Sequence, residues 1–181
     1  PARIAIVLSN RPAAAGLAYA QAAGIPTEVV AHRAFADREA FDAALDARLR
    51  AAGVELVCLA GFMRLLTAGF CAAWRDRLIN IHPSLLPAFK GLHVQRQALD
   101  AGVRVSGCTA HLVTPDLDSG PIIAQAAVPV LPGDTEETLA ARILRQEHRL
   151  YPLVVRWFGE GRIVIDGEKI VAAEGECGYL H

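Results

Sequence analysis

Residues 54–61 read VELVCLAG, a run that is apolar apart from Glu55 and closes on a glycine. A strand with one wet face alternates apolar and polar residues. A strand covered on both faces, as in a parallel α/β sheet, does not. The run therefore predicts a buried strand of a parallel sheet, and its surroundings agree. Upstream, RIAIVLS (3–9) reads as another buried strand, AAAGLAYAQA (13–22) as a helix closed by Gly24, and TEVV (27–30) as a short strand. Asp37 is suited to cap a helix over REAFDAALDARLRAA (38–52), which stops at Gly53. Downstream, LINIH (78–82) is a strand, VQRQALDAG (94–102) a short helix, and SGCTAHLVT (106–114) and PIIAQAAVPV (121–130) two more strands. A long helix over 134–158 opens at Asp134, with Glu137 completing a capping box. GRIVIDGEKIV (161–171) predicts a hairpin on its Asp-Gly pair. Strand and helix alternate, so the expectation is an α/β fold: a mostly parallel open sheet with antiparallel strands towards the C-terminus, in a single domain over 1–181.

Bulk properties narrow the function. At 181 residues, 53% hydrophobic and a formal charge of -1, the chain can bury a core and carries no basic footprint for nucleic acid. Cys58, Cys71, Cys108 and Cys177 form no C-x-x-C pair, which predicts buried thiols in a reducing compartment. No apolar run reaches the ~18 residues a membrane span requires. No signal-peptide pattern is present either, so a cytoplasmic protein with no membrane partner is expected. The six histidines form no H-x-H or H-E-x-x-H pattern, and no metal is expected. G-x-S-x-G, G-x-G-x-x-G and P-loop patterns are absent.

Chemistry concentrates where strands end, because open α/β sheets bind ligands beyond the carboxyl ends of their strands. LINIHPSLLPAFKGLH (78–93) puts Asn80 and His82 at such an end, on one side of the strand. Pro83, Pro87 and Gly91 then shape a stiff turn. An amide donor beside a titratable imidazole suits reaction at a carbonyl: one group holds a developing oxyanion and the other moves a proton. The spacing alone fits equally well an Asn that caps the turn and a His satisfied in the core. HLVTPDLDSGPI (111–122) adds Asp116 and Asp118, residues common in turns; a carboxylate that reaches a histidine can orient it, and Asp116 reads as an ordinary turn residue. LAGFMRLL (59–66) by spacing is a strand end followed by a helix start.

Together LAGFMRLL, NIHPSLLPAFKGLH and HLVTPDLDSGPI resemble the folate-dependent formyltransferases, and DREAFD, QEHRLYP and the tail extend the likeness over nearly the whole chain. The resemblance implies a Rossmann-like formyltransferase fold. It implies transfer of a formyl group from 10-formyltetrahydrofolate, as co-substrate, to the amine of glycinamide ribonucleotide, by a monomer or homodimer. It also implies catalytic roles for Asn80, His82 and Asp118: Asn80 holds the formyl oxygen, His82 donates a proton, and Asp118 raises the His82 pKa and relays the proton. Folate contacts fall on Arg38, on Met63, Arg64, Leu65 and Leu66, on Asn80, and on Thr114, Pro115, Asp116, Leu117 and Asp118. Pro83 and Glu147 match substrate-site positions.

Two relatives stay open as alternatives, a formyltetrahydrofolate deformylase and a non-catalytic folate-binding protein. Pro83 and LLPAFKGLH favour the transferase, and no basic tRNA-binding domain is seen. Family members open with a strand, a Gly-Ser-Asn-type phosphate loop and a helix, whereas PARIAIVLSN resembles the family's second strand. About 25–30 further residues upstream are therefore expected in the native protein. The Leu86–Pro87 bond is expected to be cis.

Overall fold

A computed structural model describes residues 1–167, 169–172 and 179–180. The strands β1 (Val7–Ser9) and β2 (Thr27–Val29) pair in parallel across the helix α1 (Ala15–Ala22) and form a sheet of their own. A second sheet has five strands. Its order is β3 (Val57–Leu59), β4 (Leu78–His82), β5 (Val105–Leu112), β6 (Ile122–Pro129) and β9 (Tyr179–Leu180). β3 and β4 are parallel, β4–β5 and β5–β6 antiparallel, and β9 joins β6 in parallel. β7 (Ile163–Asp166) and β8 (Lys169–Ala172) form the expected hairpin, with Gly167 at φ 60 in its turn. The helices α2 (Arg38–Ala51), α3 (Ala68–Ala73), α4 (Val94–Asp100) and α5 (Glu136–Gly159) complete the chain. The fold is α/β, parallel early and antiparallel late, as the alternation predicts.

Two apolar cores lie on opposite faces of the five-stranded sheet. On one face, Leu139, Ile143, Leu150, Val154 and Trp157 of α5 cover Ile79, Cys108, Ala110 and Leu112. On the other, Phe41, Leu45 and Leu49 of α2 meet Phe70, Trp74, Val57 and Leu78. Tyr151 of α5 reaches the strand ends, and its hydroxyl is shared between the carbonyls of Leu59 (2.8 Å) and Ile79 (3.1 Å). That contact ties α5 to the end of β3 and the start of β4, next to Asn80.

Several expectations shift in detail. The strand over 3–9 shortens to β1, and Ile4 is 63% exposed, because β1 has one paired neighbour. β3 is likewise an edge strand, and Cys58 is exposed rather than buried. Cys71 and Cys108 are buried as expected, and Cys177 lies outside the described residues. The capping box of α5 is Thr135 with Thr138, not Asp134 with Glu137. The cause is Arg142, whose guanidinium grips both oxygens of Asp134 (2.7 and 2.8 Å) and holds that carboxyl well below the usual carboxylate range. Among the described residues, no helix is long and apolar enough to cross a membrane.

Candidate active site

β4 carries the site. Period-two geometry sends Leu78, Asn80 and His82 to the face opposite Ile79. Antiparallel register sets Asn80 beside His111 and His82 beside Thr109 on β5. The β5–β6 pairing is irregular between Ala110 and His111. The extra residue, Ile123, lies on β6, and such a bulge bends and twists the strand that carries it.

His82 is 5% exposed. Its Nε2 lies 2.9 Å from the Phe89 carbonyl, an acceptor only, so Nε2 carries the hydrogen. Nδ1 is thereby the ring atom left for chemistry, and it faces Asp118 Oδ2 at 3.5 Å. The same Oδ2 accepts the Gly91 N–H at 2.9 Å. Phe89 (φ 56) and Asp118 (φ 46) both sit in the left-handed region, although neither is glycine. Such residues persist only where their surroundings over-determine them, and they cluster at working sites.

A buried polar bracket holds the turn. Thr109 Oγ1 donates to the Ser84 carbonyl (2.7 Å) and accepts from the Leu86 N–H (3.0 Å) and Gln125 Nε2 (3.0 Å). Gln125 Nε2 also donates to the Leu86 carbonyl (2.9 Å). Ser84 Oγ donates to the Ala88 and Phe89 carbonyls (2.6 and 3.0 Å). The Leu86–Pro87 bond is cis, as expected.

Asn80 is half-buried, and its Nδ2 lies 3.3 Å from His111 Nε2. His111 is 2% exposed and gives its Nδ1 hydrogen to the Leu112 carbonyl (2.8 Å). Its Nε2 is 3.9 Å from Asp118 Oδ1. Burial pushes the His111 pKa below its ordinary value, against the Leu112 hydrogen bond and the Asp118 charge. The neutral ring therefore accepts from Asn80. The reading of residues 111–122 did not single out His111. The signal was there: Thr109 and His111 are the polar alternates of a strand whose other face is Cys108, Ala110 and Leu112.

The DSGP turn has a steric reason. A Cβ on Gly120 would fall 1.9 Å from the Leu112 carbonyl oxygen, so only glycine lets the loop lie against β5. Gly120→Ala is expected to destabilise the fold by about 1–3 kcal/mol. Because Asp118 is two residues away, activity should fall with stability. Urea unfolding and steady-state rates on one preparation check both.

The remaining predicted residues divide. Loop residues 63–66 leave β3: Met63 (74% exposed) and Leu65 (53%) face outwards, and Leu66 enters the α2–α3 core. The Arg64 guanidinium stacks on Phe41 at 5.6 Å, and its Nε is buried with no partner among the described residues. Asp42 of α2 holds this loop, accepting the Thr67 N–H at 2.7 Å. Thr114 Oγ1 donates to the Asp116 carbonyl at 3.3 Å, and Pro115, Asp116 and Leu117 are exposed on the loop that ends in Asp118. Asp116 makes no side-chain contact with His82 among the described residues, and Asp118 does. Lys90 Nζ donates to Ser119 Oγ and ties this loop to the turn after β4.

Pro83 follows His82 directly and is half-buried. Arg38 opens α2, exposed. Glu147 is half-buried on α5, on the other face of the sheet. Desolvation raises its pKa. Burial, and then the Glu147 charge, pushes the Cys108 thiol up to about 12. No hydrogen bond or ion pair among the described residues joins Arg38 or Glu147 to Asn80, His82 and Asp118.

Known proteins share this arrangement of elements. The chain is 48% identical over 157 residues to the phosphoribosylglycinamide formyltransferase of Escherichia coli, covering 87% of this chain and 74% of that protein. It is 52% identical over 167 residues to the trifunctional purine biosynthetic protein adenosine-3 of Drosophila melanogaster, covering 92% of this chain but only 12% of that longer protein. The crystal structure of glycinamide ribonucleotide transformylase 1 from Symbiobacterium toebii superposes with a TM-score of 0.94 at 55% identity, covering 96% of this chain and 82% of that one. The sequence pattern described as Formyl transferase matches residues 1–155, a span that holds β1 through most of α5 and every side chain of the Asn80–His82–His111–Asp118 group, and with it the chain belongs to the formyl transferase family.

Proposed function

We propose that this chain transfers the formyl group of 10-formyltetrahydrofolate to the amine of glycinamide ribonucleotide. The observation that carries the reading is the join of an amide donor with a His–Asp pair at one strand end. Asn80 has an N–H to give. Nδ1 of His82 is poised against Asp118 at 3.5 Å, and both side chains are largely buried.

In this reading the substrate amine attacks the formyl carbon, and a C–N bond forms as the C=O oxygen takes the electron pair. Asn80 donates to that oxygen, and a preorganised donor is worth more there than in water. Collapse restores the C=O and breaks the bond from the formyl carbon to the folate nitrogen. That nitrogen leaves with the proton carried on His82 Nδ1. The amine surrenders one proton, and Asp118 is the nearest base to return it to His82, directly or through water. Protons and electron pairs balance, and His82 ends as it began.

In this reading the folate is assigned to the residues around the cluster. Arg64, whose Nε has no partner among the described residues, and the exposed Arg38 offer cations to its carboxylates, and Met63 and Leu65 offer apolar surface. The loop over 114–118 ends at Asp118, beside His82 and His111. Glu147 and Pro83 are assigned to the amine substrate. The names of the relatives support the ribonucleotide acceptor and the formyl group, and the folate donor is what the family resemblance implies.

A formyl-transfer assay with and without glycinamide ribonucleotide tests the proposal. Turnover that requires the ribonucleotide is expected. Formate release at the same rate without it would make water the acceptor and the chain a deformylase. Folate binding without any turnover would leave a binding protein.

A further inference from the structure

His111 makes the most specific side-chain contact to Asn80 and has no part in the steps above. We propose that His111 is a positioning residue: with its hydrogen on Nδ1, it offers Nε2 as the acceptor that fixes the Asn80 amide, leaving the second amide N–H free for the formyl oxygen. This rests on the proposed formyl-transfer reading, and the geometry carries the rest.

An asparagine amide has two nearly isosteric orientations. In one, Nδ2–H points at His111 Nε2, the 3.3 Å contact observed. In the other, Oδ1 faces the Nε2 lone pair, acceptor against acceptor. The neutral ring therefore selects the first. The ring cannot turn over to offer its other nitrogen, because Nδ1 is committed to the Leu112 carbonyl at 2.8 Å. The regular β4–β5 register sets His111 directly across from Asn80, and 2% exposure keeps water from competing.

His111 is not a second acid. Its Nδ1 hydrogen is given to a carbonyl and its Nε2 holds no hydrogen, so it has no proton to lend the reaction. The charged and titratable groups that face the ring are Asp118 from the loop after β5, His82 from β4 and Lys90 from the turn after β4. A proton on Nε2 would reverse the amide preference, because Nε2 would then need Oδ1.

The test uses the whole chain and compares His111→Gln, which can present an acceptor, with His111→Phe, which fills the space without one. His111→Phe is expected to lower kcat by about 10²-fold, the cost of a catalytic group held slightly out of place, while KM for the folate stays near the wild-type value. His111→Gln is expected to recover most of the loss. Equal losses in the two variants would overturn the proposal. Nitrogen-15 NMR of the wild-type protein gives a second readout that needs no turnover and no variant. The His111 ring should show hydrogen on Nδ1, with a scalar coupling between Asn80 Nδ2 and His111 Nε2 across the hydrogen bond. Hydrogen on Nε2 at neutral pH would overturn the proposal even if both variants failed to fold. A wild-type chain that shows the coupling but transfers no formyl group would sink the functional reading and leave the positioning intact.

Discussion

Asn80→Ala is expected to lower kcat by about 10²–10³-fold while the chain stays folded, the usual consequence of removing one donor to a developing oxyanion. The fold should tolerate the change because Asn80 is half-buried and, among the described residues, its side chain has one hydrogen-bond partner, His111 Nε2. KM for the folate should move far less than kcat. The donor's work is done when the formyl oxygen carries charge, and a loss confined to that moment lowers kcat and kcat/KM together. Asn80→Asp sharpens the result. It keeps the size and replaces the N–H donor by a carboxylate beside the forming oxyanion, so it should be at least as damaging as alanine. Steady-state kinetics with both substrates varied, and circular dichroism on the same samples, measure this. An Asn80→Ala chain within tenfold of wild type would remove Asn80 from the mechanism.

What could be read from the sequence depended on whether a feature is local. VELVCLAG announced a strand that pairs in parallel with β4, though not its burial, and Asp37 announced the start of α2, where its side chain accepts the Ala40 N–H at 2.7 Å. The spacing of Asn80 and His82 put both side chains on one face because strand geometry fixes it. The choice between Asp116 and Asp118 came from the family resemblance. The structure gives it a physical basis in Gly91, which lies 27 residues upstream of the carboxylate its N–H meets. Other features were out of reach. The acceptor role of Phe89 depends on a left-handed backbone at a residue type that gives no hint of it. The capping of α5 moved by one residue because Arg142, eight residues on, took Asp134 away. The exposure of Cys58 depends on which strands flank β3, and strand order is not written in any one strand. His111 was visible only as a polar alternate, and its meaning came from β4 lying beside it.

His82→Ala is expected to cost about 10²–10⁴-fold in kcat, the range for a positioned general acid. Asp118→Asn separates two roles for its partner. The carboxylate accepts the Gly91 N–H at 2.9 Å and faces His82 Nδ1 at 3.5 Å through the same Oδ2. An asparagine oxygen can still accept from Gly91, so a role confined to shaping the loop would leave Asp118→Asn close to wild type. A role in balancing charge on the imidazolium and returning its proton requires the negative charge, and asparagine cannot supply it. The second role predicts that Asp118→Asn loses a large part of what His82→Ala loses, with thermal stability little changed. It also predicts the double variant. Once His82 is gone, Asp118 has no proton to receive or return, so His82→Ala with Asp118→Asn should be no slower than the worse single variant by more than a small factor, as for groups that act as a unit. If the two losses multiplied instead, each residue would be acting on the substrate by itself, and the proton path from the amine through Asp118 to His82 Nδ1 would have to be abandoned.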